Sequence, residues 1–267
     1  MITNQNPYAL ITGATSGIGH ELAKVFAEHG YNLIIVARSE DELQTAAREL
    51  LKFGVNVIPV AKDLFQPEAA FQLYQEVKAK GIDINVLVND AGQGQYGLFL
   101  ENDIYRQLDI IQLNVSSLTA ITYLFVKDMV ARGEGKVLQV ASIASNMPGP
   151  LQAVYHATKA YVLSFTEALI NELKGTNVTM TALQPGVTDT DFFNKADAQN
   201  SKLVEDKSKM SDPAKVARDG FEALMSGDDK VVSGMKNKMQ VAMSHVMPDT
   251  QVADRMRKMS EEQDQSK

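Results

Sequence analysis

The sequence predicts an α/β fold, a doubly wound parallel sheet of about seven strands flanked by helices. Short apolar or β-branched runs alternate with longer amphipathic segments from the N-terminus to about position 185, the pattern of successive βαβ units. Each run is near-continuously apolar, as strands covered by helices on both faces must be. A glycine cluster, Gly13, Gly17 and Gly19, stands directly between the first run and the first amphipathic segment.

Strands are expected at 8–12, 32–36, 56–61, 85–88, 136–141 and 178–183, with helices at about 18–29, 40–53, 67–80, 102–131 and 153–174. Ser39 and Glu42 have capping-box spacing at the start of the second helix. Gly54 and Gly81 stand where helices stop, and Gly133 and Gly135 close the long fourth one, following the preference for glycine at helix C-termini. Successive parallel strands need right-handed helical crossovers, which gives the doubly wound arrangement. No repeat or Pro/Gly/Ser-rich linker divides the chain, so residues 1–235 read as one domain with a substrate loop at 186–211. A helix at 212–226 and a short strand at 230–233 complete it. Residues 236–267 read as a Met-rich helical extension and tail. Met235, Met239, Met243 and Met247 recur every four residues and on a helix would form one adaptable apolar stripe, packed on the domain or on a second subunit. From Ser260 onward a frayed, solvated tail is expected.

With 267 residues, 45% apolar and 22% charged, the chain can bury a sizeable core, and disorder as the main state is excluded. The absence of cysteine removes disulfides, thiolate zinc sites and cysteine nucleophiles. Four scattered histidines make no metal-ligand pair, and no metal site is expected. A net charge of −7 speaks against nucleic-acid binding, which rests on a basic surface. No 18-residue uninterrupted apolar stretch and no basic segment before the first apolar run are found, so a cytoplasmic protein without a membrane span is expected. Redox chemistry would fall to an organic cofactor.

The first strand runs into Thr12-Gly13-Ala14-Thr15-Ser16-Gly17-Ile18-Gly19. Glycines let the backbone turn tightly and approach a pyrophosphate, while the free amides and positive end of the next helix attract its charge. Gly13, Thr15, Ser16, Gly17, Ile18 and Gly19 are therefore candidate dinucleotide contacts. Arg38, about twenty residues further on at the end of the second strand, favours NADP(H) over NAD(H), because a guanidinium binds a 2′-phosphate that a carboxylate would repel. Asp63 after the third strand suits an adenine amino group or a helix cap.

Tyr155 and Lys159 stand at i and i+4 at the start of a helix, so phenol and ammonium share one face. The ammonium stabilises phenolate, which makes Tyr155 a usable acid/base. Ser142, thirteen residues upstream, can donate a hydrogen bond to a carbonyl oxygen gaining charge during hydride transfer. His156 lies about 100° round the helix from Tyr155 and is read as a pocket-edge or packing residue.

Taken in order, TGATSGIG, Asn89-Asp90-Ala91-Gly92, Asn114 in LNV, Ser142, Tyr155 with Lys159, and Gln184-Pro185-Gly186-Val187-Thr188-Asp189-Thr190 resemble the motifs of the short-chain dehydrogenase/reductase family, in its shorter single-domain branch. The match covers roughly residues 8–235 and implies a Rossmann-like fold. The resemblance implies that Tyr155 protonates the carbonyl oxygen, that Lys159 binds the nicotinamide ribose, and that Ser142 orients substrate. It further implies that Asn114 holds a relay water and that Asn89, Pro185, Gly186, Thr188 and Thr190 serve the cofactor. Asp90 departs from the family's NNAG and has lost the amide's N–H donors, and its segment is expected to support the cofactor from below.

The resulting expectation is an NADP(H)-dependent oxidoreductase, a carbonyl reductase interconverting a carbonyl and a secondary alcohol. Tyr96, Phe99, Met147, Phe192 and Phe193 on the pocket-edge loops suggest a partly apolar substrate. A homodimer or homotetramer pairing through the long helices is implied by the family. One alternative is an NADPH-binding sensor or scaffold without turnover, against which the retained tetrad argues. Another is the epimerase or dehydratase branch, whose glycines are spaced differently from Gly13, Gly17 and Gly19.

Overall fold

In the computed structural model, which describes residues 6–206, 208 and 210–261, the apolar runs form seven strands: β1 (Tyr8–Thr12), β2 (Asn32–Ala37), β3 (Val57–Ala61), β4 (Ile84–Asn89), β5 (Gly135–Val140), β6 (Val178–Gln184) and β7 (Lys230–Val232). They make one sheet in the order β3-β2-β1-β4-β5-β6-β7, every neighbouring pair parallel. The winding reverses between β1 and β4, and such a switch point opens a crevice beyond the carboxyl ends of the strands.

The helices are α1 (Gly17–Glu28), α2 (Glu40–Leu50), α3 (Ala69–Ala79), α4 (Ile104–Ile111), α5 (Leu118–Arg132), α6 (Ala153–Glu172), α7 (Phe192–Lys195), α8 (Pro213–Ser226), α9 (Met235–Ser244) and α10 (Asp249–Ser260). Because strand side chains alternate between faces, consecutive residues of β1 and β2 feed opposite cores. Ile11 and Ile35 pack with Leu22, Phe26, Leu43 and Leu224 of α1, α2 and α8. Leu10 and Ile34 pack with Leu73, Val77, Phe125 and Met129 of α3 and α5.

The expected helix at 102–131 is divided by a π-helical segment, Gln112–Ser117, between α4 and α5. The run Ile104–Arg132 is long and apolar enough to cross a membrane, yet half of its apolar 18-residue stretch is buried within the fold, and α5 supplies Leu118, Ile121 and Phe125 to the core. The cap of α2 forms as expected, Ser39 Oγ accepting from Glu42 N at 3.3 Å, but the Glu42 carboxylate turns to Thr15 Oγ1 at 3.2 Å. Gly133 caps α5 in the left-handed conformation, whereas Gly135 opens β5.

Two C-terminal expectations are corrected. The four methionines do not share one helix: α9 stops at Ser244 and Pro248 stands at the N-cap of α10, a residue that lacks the N–H needed to continue a helix. Met235, Met239 and Met243 are exposed, by 74%, 61% and 40%, while Met247 packs against Met147, Val252, Met256 and Met259. Nor does Ser260 fray: it is buried, and its carbonyl accepts from Tyr96 Oη at 2.7 Å and Ser201 Oγ at 3.0 Å. The remainder of the expected tail, 262–267, lies outside the described residues.

Candidate active site

A cavity of about 1090 Å³ opens beyond the carboxyl ends of the strands, lined by the loops that follow β1 to β6 and by the C-terminal helices. The turn after β1 forms its floor. Gly13 and Gly17 adopt φ of +75° and +58°, the region that favours glycine. At Gly19 a Cβ would stand 2.5 Å from both Gly13 O and Asp90 Oδ2. Gly13 N is tied to Val36 O at 2.8 Å, so the turn is pinned to β2 while Thr15, Ser16, Gly17 and Ile18 line the cavity. Close backbone packing, cavity-lining glycines and the N-terminus of α1 together fit a dinucleotide's pyrophosphate.

Arg38 and Lys62 line the same cavity, and the Arg38 guanidinium rests over the Phe65 ring, 5.1 Å from its centroid. Asp63 turns inward on its own loop, accepting from Phe65 N at 3.3 Å and Gln66 Nε2 at 3.4 Å. Its neighbours Lys62, Leu64 and Phe65 face the cavity. Asn89 is buried behind the wall, its amide donating to Thr122 Oγ1 at 3.0 Å and Gln139 Oε1 at 3.1 Å. Thr12 Oγ1 accepts from both Asp90 N and Ala91 N at 3.1 Å, which fastens the Asn89–Gly92 segment to β1.

Ser142 follows the end of β5 and Tyr155 with Lys159 leaves the first two turns of α6, and all three residues line the cavity. The Ser142 hydroxyl hydrogen-bonds Tyr155 and accepts from Ala144 N at 3.1 Å. Lys159 Nζ donates to Val140 O at 2.7 Å and lies 5.9 Å from the Tyr155 ring centroid. Asn114, carried on the π-helical segment, stands behind this group. Its amide accepts from Gln93 N at 3.0 Å and donates to Gln93 O at 2.8 Å and Thr158 Oγ1 at 3.0 Å. A π segment inserts a residue into the helix, and such segments recur at functional sites.

Burial governs the titration of these groups. It pushes the Tyr155 phenol up to about 12, with the Ser142 hydrogen bond opposing and the Asp90 charge adding to the rise. Burial lowers Lys159 from the ordinary lysine range, and the Asp90 carboxylate resists that fall. Asp90 itself is raised by burial, against Lys159 and the Gly19 backbone N–H, which both favour its charged form. His156, buried with its Nδ1 on Met147 O at 2.9 Å, is held below its usual range by burial. A Cβ on Gly149 would overlap its ring, so His156 packs the 143–149 loop against α6.

The segment after β6 crosses the cleft. Pro185, Gly186, Thr188 and Thr190 all line it, and Thr190 Cγ2 would touch a Cβ on Gly17 at 3.0 Å. Phe192 follows, its ring 5.0 Å from that of Tyr155. The outer wall comes from residues the sequence pattern did not single out: Asn237 and Gln240 of α9, and Met256, Lys258 and Met259 of α10. Met256 and Met259 are three apart, a helical-face spacing that was the available signal. Among the described residues no group of three His, Cys, Asp or Glu could hold a metal ion.

The family model for short chain dehydrogenase matches residues 7–201. A short chain dehydrogenase from Pseudocercospora fijiensis is 32% identical over 199 residues, covering 74% of this chain and 64% of the relative. A putative ketoacyl reductase from Streptomyces coelicolor is 33% identical over 192 residues, 71% of this chain and 74% of the relative. A very-long-chain 3-oxoacyl-CoA reductase from Laccaria bicolor is 31% identical over 65% of this chain and 52% of its own, so the chain spans between half and two thirds of two of these curated relatives. Among solved structures, a short-chain dehydrogenase from Sphingobium yanoikuyae in complex with NADPH superposes with a TM-score of 0.79 at 25% identity, covering 93% of this chain and 99% of that one. A 7β-hydroxysteroid dehydrogenase gives 0.83 at 25% identity, covering 94% and 96%.

Proposed function

The chain belongs to the short-chain dehydrogenase/reductase family, oxidoreductases of CH–OH groups that use a nicotinamide cofactor, and we propose that it reduces partly apolar ketones with NADPH. One observation carries the reading: Ser142, Tyr155 and Lys159 line the same cavity as the glycine turn and Arg38. The ketoacyl and hydroxysteroid names of its relatives support an apolar carbonyl substrate.

The glycine turn and the α1 N-terminus would hold the cofactor's pyrophosphate, Arg38 its 2′-phosphate, Lys159 its ribose hydroxyls, and Thr188 with Thr190 its carboxamide. The bound nicotinamide supplies or accepts hydride. Ser142 donates to the substrate's carbonyl oxygen and holds it beside Tyr155. Tyr155 then delivers its phenolic proton as charge develops on that oxygen. The nearby Lys159 ammonium stabilises the phenolate left behind. Asn114, fixed against Gln93 and Thr158, backs the path by which Lys159 returns a proton from solvent.

The experiment is loss of NADPH absorbance with a ketone panel that includes 3-oxoacyl thioesters and oxosteroids. The wild-type protein turns over at least one class, and Tyr155→Phe, which keeps the ring and removes the proton, loses about 100-fold or more in kcat. No turnover by the wild type across the panel, or an unchanged rate in Tyr155→Phe, overturns the proposal.

A further inference from the structure

The cavity carries cations at both ends. Arg38 and Lys62 occupy the end next to the glycine turn, where the cofactor's phosphates belong. At the other end Lys195, Lys202, Lys236 and Lys258 stand around an apolar throat of Met147, Phe192, Met256 and Met259. Two of the four are already compensated: Lys195 pairs with Asp191 at 3.2 Å and Lys202 with Glu261 at 3.8 Å. Among the described residues Lys236 and Lys258 have no acidic side chain within ion-pair distance. Both are exposed residues that line the cavity, and a lysine so placed can lay its stem on apolar surface while its ammonium stays in water.

Their placement is built by contacts. Asn237 Nδ2 donates to Ser233 O at 2.6 Å, and its amide fills the space a Cβ on Gly186 would take. The first turn of α9, with Lys236 on it, is thereby set against the segment after β6. Gln240 reaches the sulfurs of Met147 at 3.6 Å and Met256 at 3.9 Å, which couples α9 to the helix that carries Lys258. In a chain of net charge −7, two uncompensated lysines at the rim of an apolar throat make a local positive field, and such a field attracts an anion into the cleft.

We propose that Lys236 and Lys258 form an anion site for the far end of the substrate, which is an apolar carbonyl compound ending in a carboxylate or a phosphate. The proposal rests on the ketone-reductase reading above and names the chemistry of the substrate's other end.

Two probe pairs differ only in that charge. The first is 3-oxodecanoyl thioester on phosphopantetheine against the same acyl group on pantetheine, and the second is 9-oxodecanoate against its methyl ester. The anionic member is favoured in kcat/KM by about tenfold, the sum expected of two exposed charge contacts, through KM and not kcat. Preference within the first pair assigns a phosphate and within the second a carboxylate. The double variant Lys236→Ala/Lys258→Ala abolishes the preference, and added salt erodes it. Lys238→Ala, on the same helix but outside the cavity lining, keeps it. Binding of decanoate and of methyl decanoate to the NADPH-loaded protein, followed by calorimetry, reads the same preference without turnover. Equal handling of charged and neutral probes by the wild type, or a preference that survives the double variant, overturns the anion site. Turnover of the neutral probes in that event would leave the reductase reading standing, whereas charge-selective binding without any turnover would keep the anion site and remove the reductase.

Discussion

Replacing Asp90 by asparagine restores the amide found in the family's motif and isolates one carboxylate's effect on the acid/base pair. The substitution preserves shape, and an asparagine oxygen can still accept the Gly19 N–H that Asp90 now accepts. What changes is charge. The Asp90 backbone carbonyl oxygen and Lys159 Nζ lie 3.7 Å and 3.4 Å from the point where a Gly92 Cβ would stand, and the Asp90 carboxylate and Lys159 ammonium each favour the other's charged form. For two unit charges about 10 Å apart at an effective dielectric constant of ~20, the Coulomb energy is about 1.7 kcal/mol, or about 1.2 pH units, and water in the cavity reduces this to about one unit or less.

The direction follows from the charges. An ionised Asp90 raises Tyr155, since it opposes a phenolate, and raises Lys159, since it favours an ammonium. Its removal therefore lowers both. In reduction, which needs the phenol protonated, the basic limb of the kcat/KM profile moves about one unit toward lower pH. In oxidation of the corresponding alcohol, which needs the phenolate, the acidic limb moves the same way. The assay is kcat/KM against pH in both directions for wild type and Asp90→Asn, with NADPH affinity measured beside it. A profile that stays in place, or moves toward higher pH, refutes the coupling.

Other outcomes follow from the same site. Arg38→Asp weakens NADPH binding by about 1.5–3 kcal/mol through loss of a charge-assisted contact and improves tolerance of NADH; an unchanged cofactor preference in fluorescence titration would show that Arg38 does not meet the 2′-phosphate. Gly19→Ala drives a methyl into Gly13 O and Asp90 Oδ2, both 2.5 Å from its position. It should cost about 1–3 kcal/mol of stability and most of the NADPH affinity, and a wild-type melting temperature would contradict the packing. Tyr105, Leu108 and Tyr123 are exposed by 76%, 53% and 64% on α4 and α5, an apolar face that a homodimer or homotetramer would cover. Leu108→Asp with Tyr123→Asp should then yield a monomer by light scattering, and a mass unaltered by the pair would place the subunit contact elsewhere.

The sheet was legible because its strands are apolar on both faces, and the cofactor floor because tight turns leave glycines behind. Tyr155 and Lys159 were legible through helical spacing, and Ser142 through its place just past the fifth strand, thirteen residues before Tyr155. Asn114 carried a weaker signal, since local periodicity does not announce the π segment that turns its side chain toward Gln93 and Thr158. Asp90 was visible as a departure, but its coupling to Lys159 arises only when β4 and α6 meet at the cavity. The methionine stripe misled because a four-residue period continues through a break, and Pro248 was the sign that Met247 belongs to another packing group. Lys236 and Lys258 had no pattern at all: they are brought to one cavity by the packing of α9 and α10.

That outer wall has an unusual material. Met147, Met247, Met256 and Met259 pack together where α10 meets the loop after β5, and an unbranched thioether can change rotamer at little cost while keeping its contacts. The glycine floor fits one shape of ligand, but a methionine wall takes the shape of its guest. Structures with ketones of different bulk should therefore differ in the χ angles of these four side chains while the backbone of α10 stays where it is.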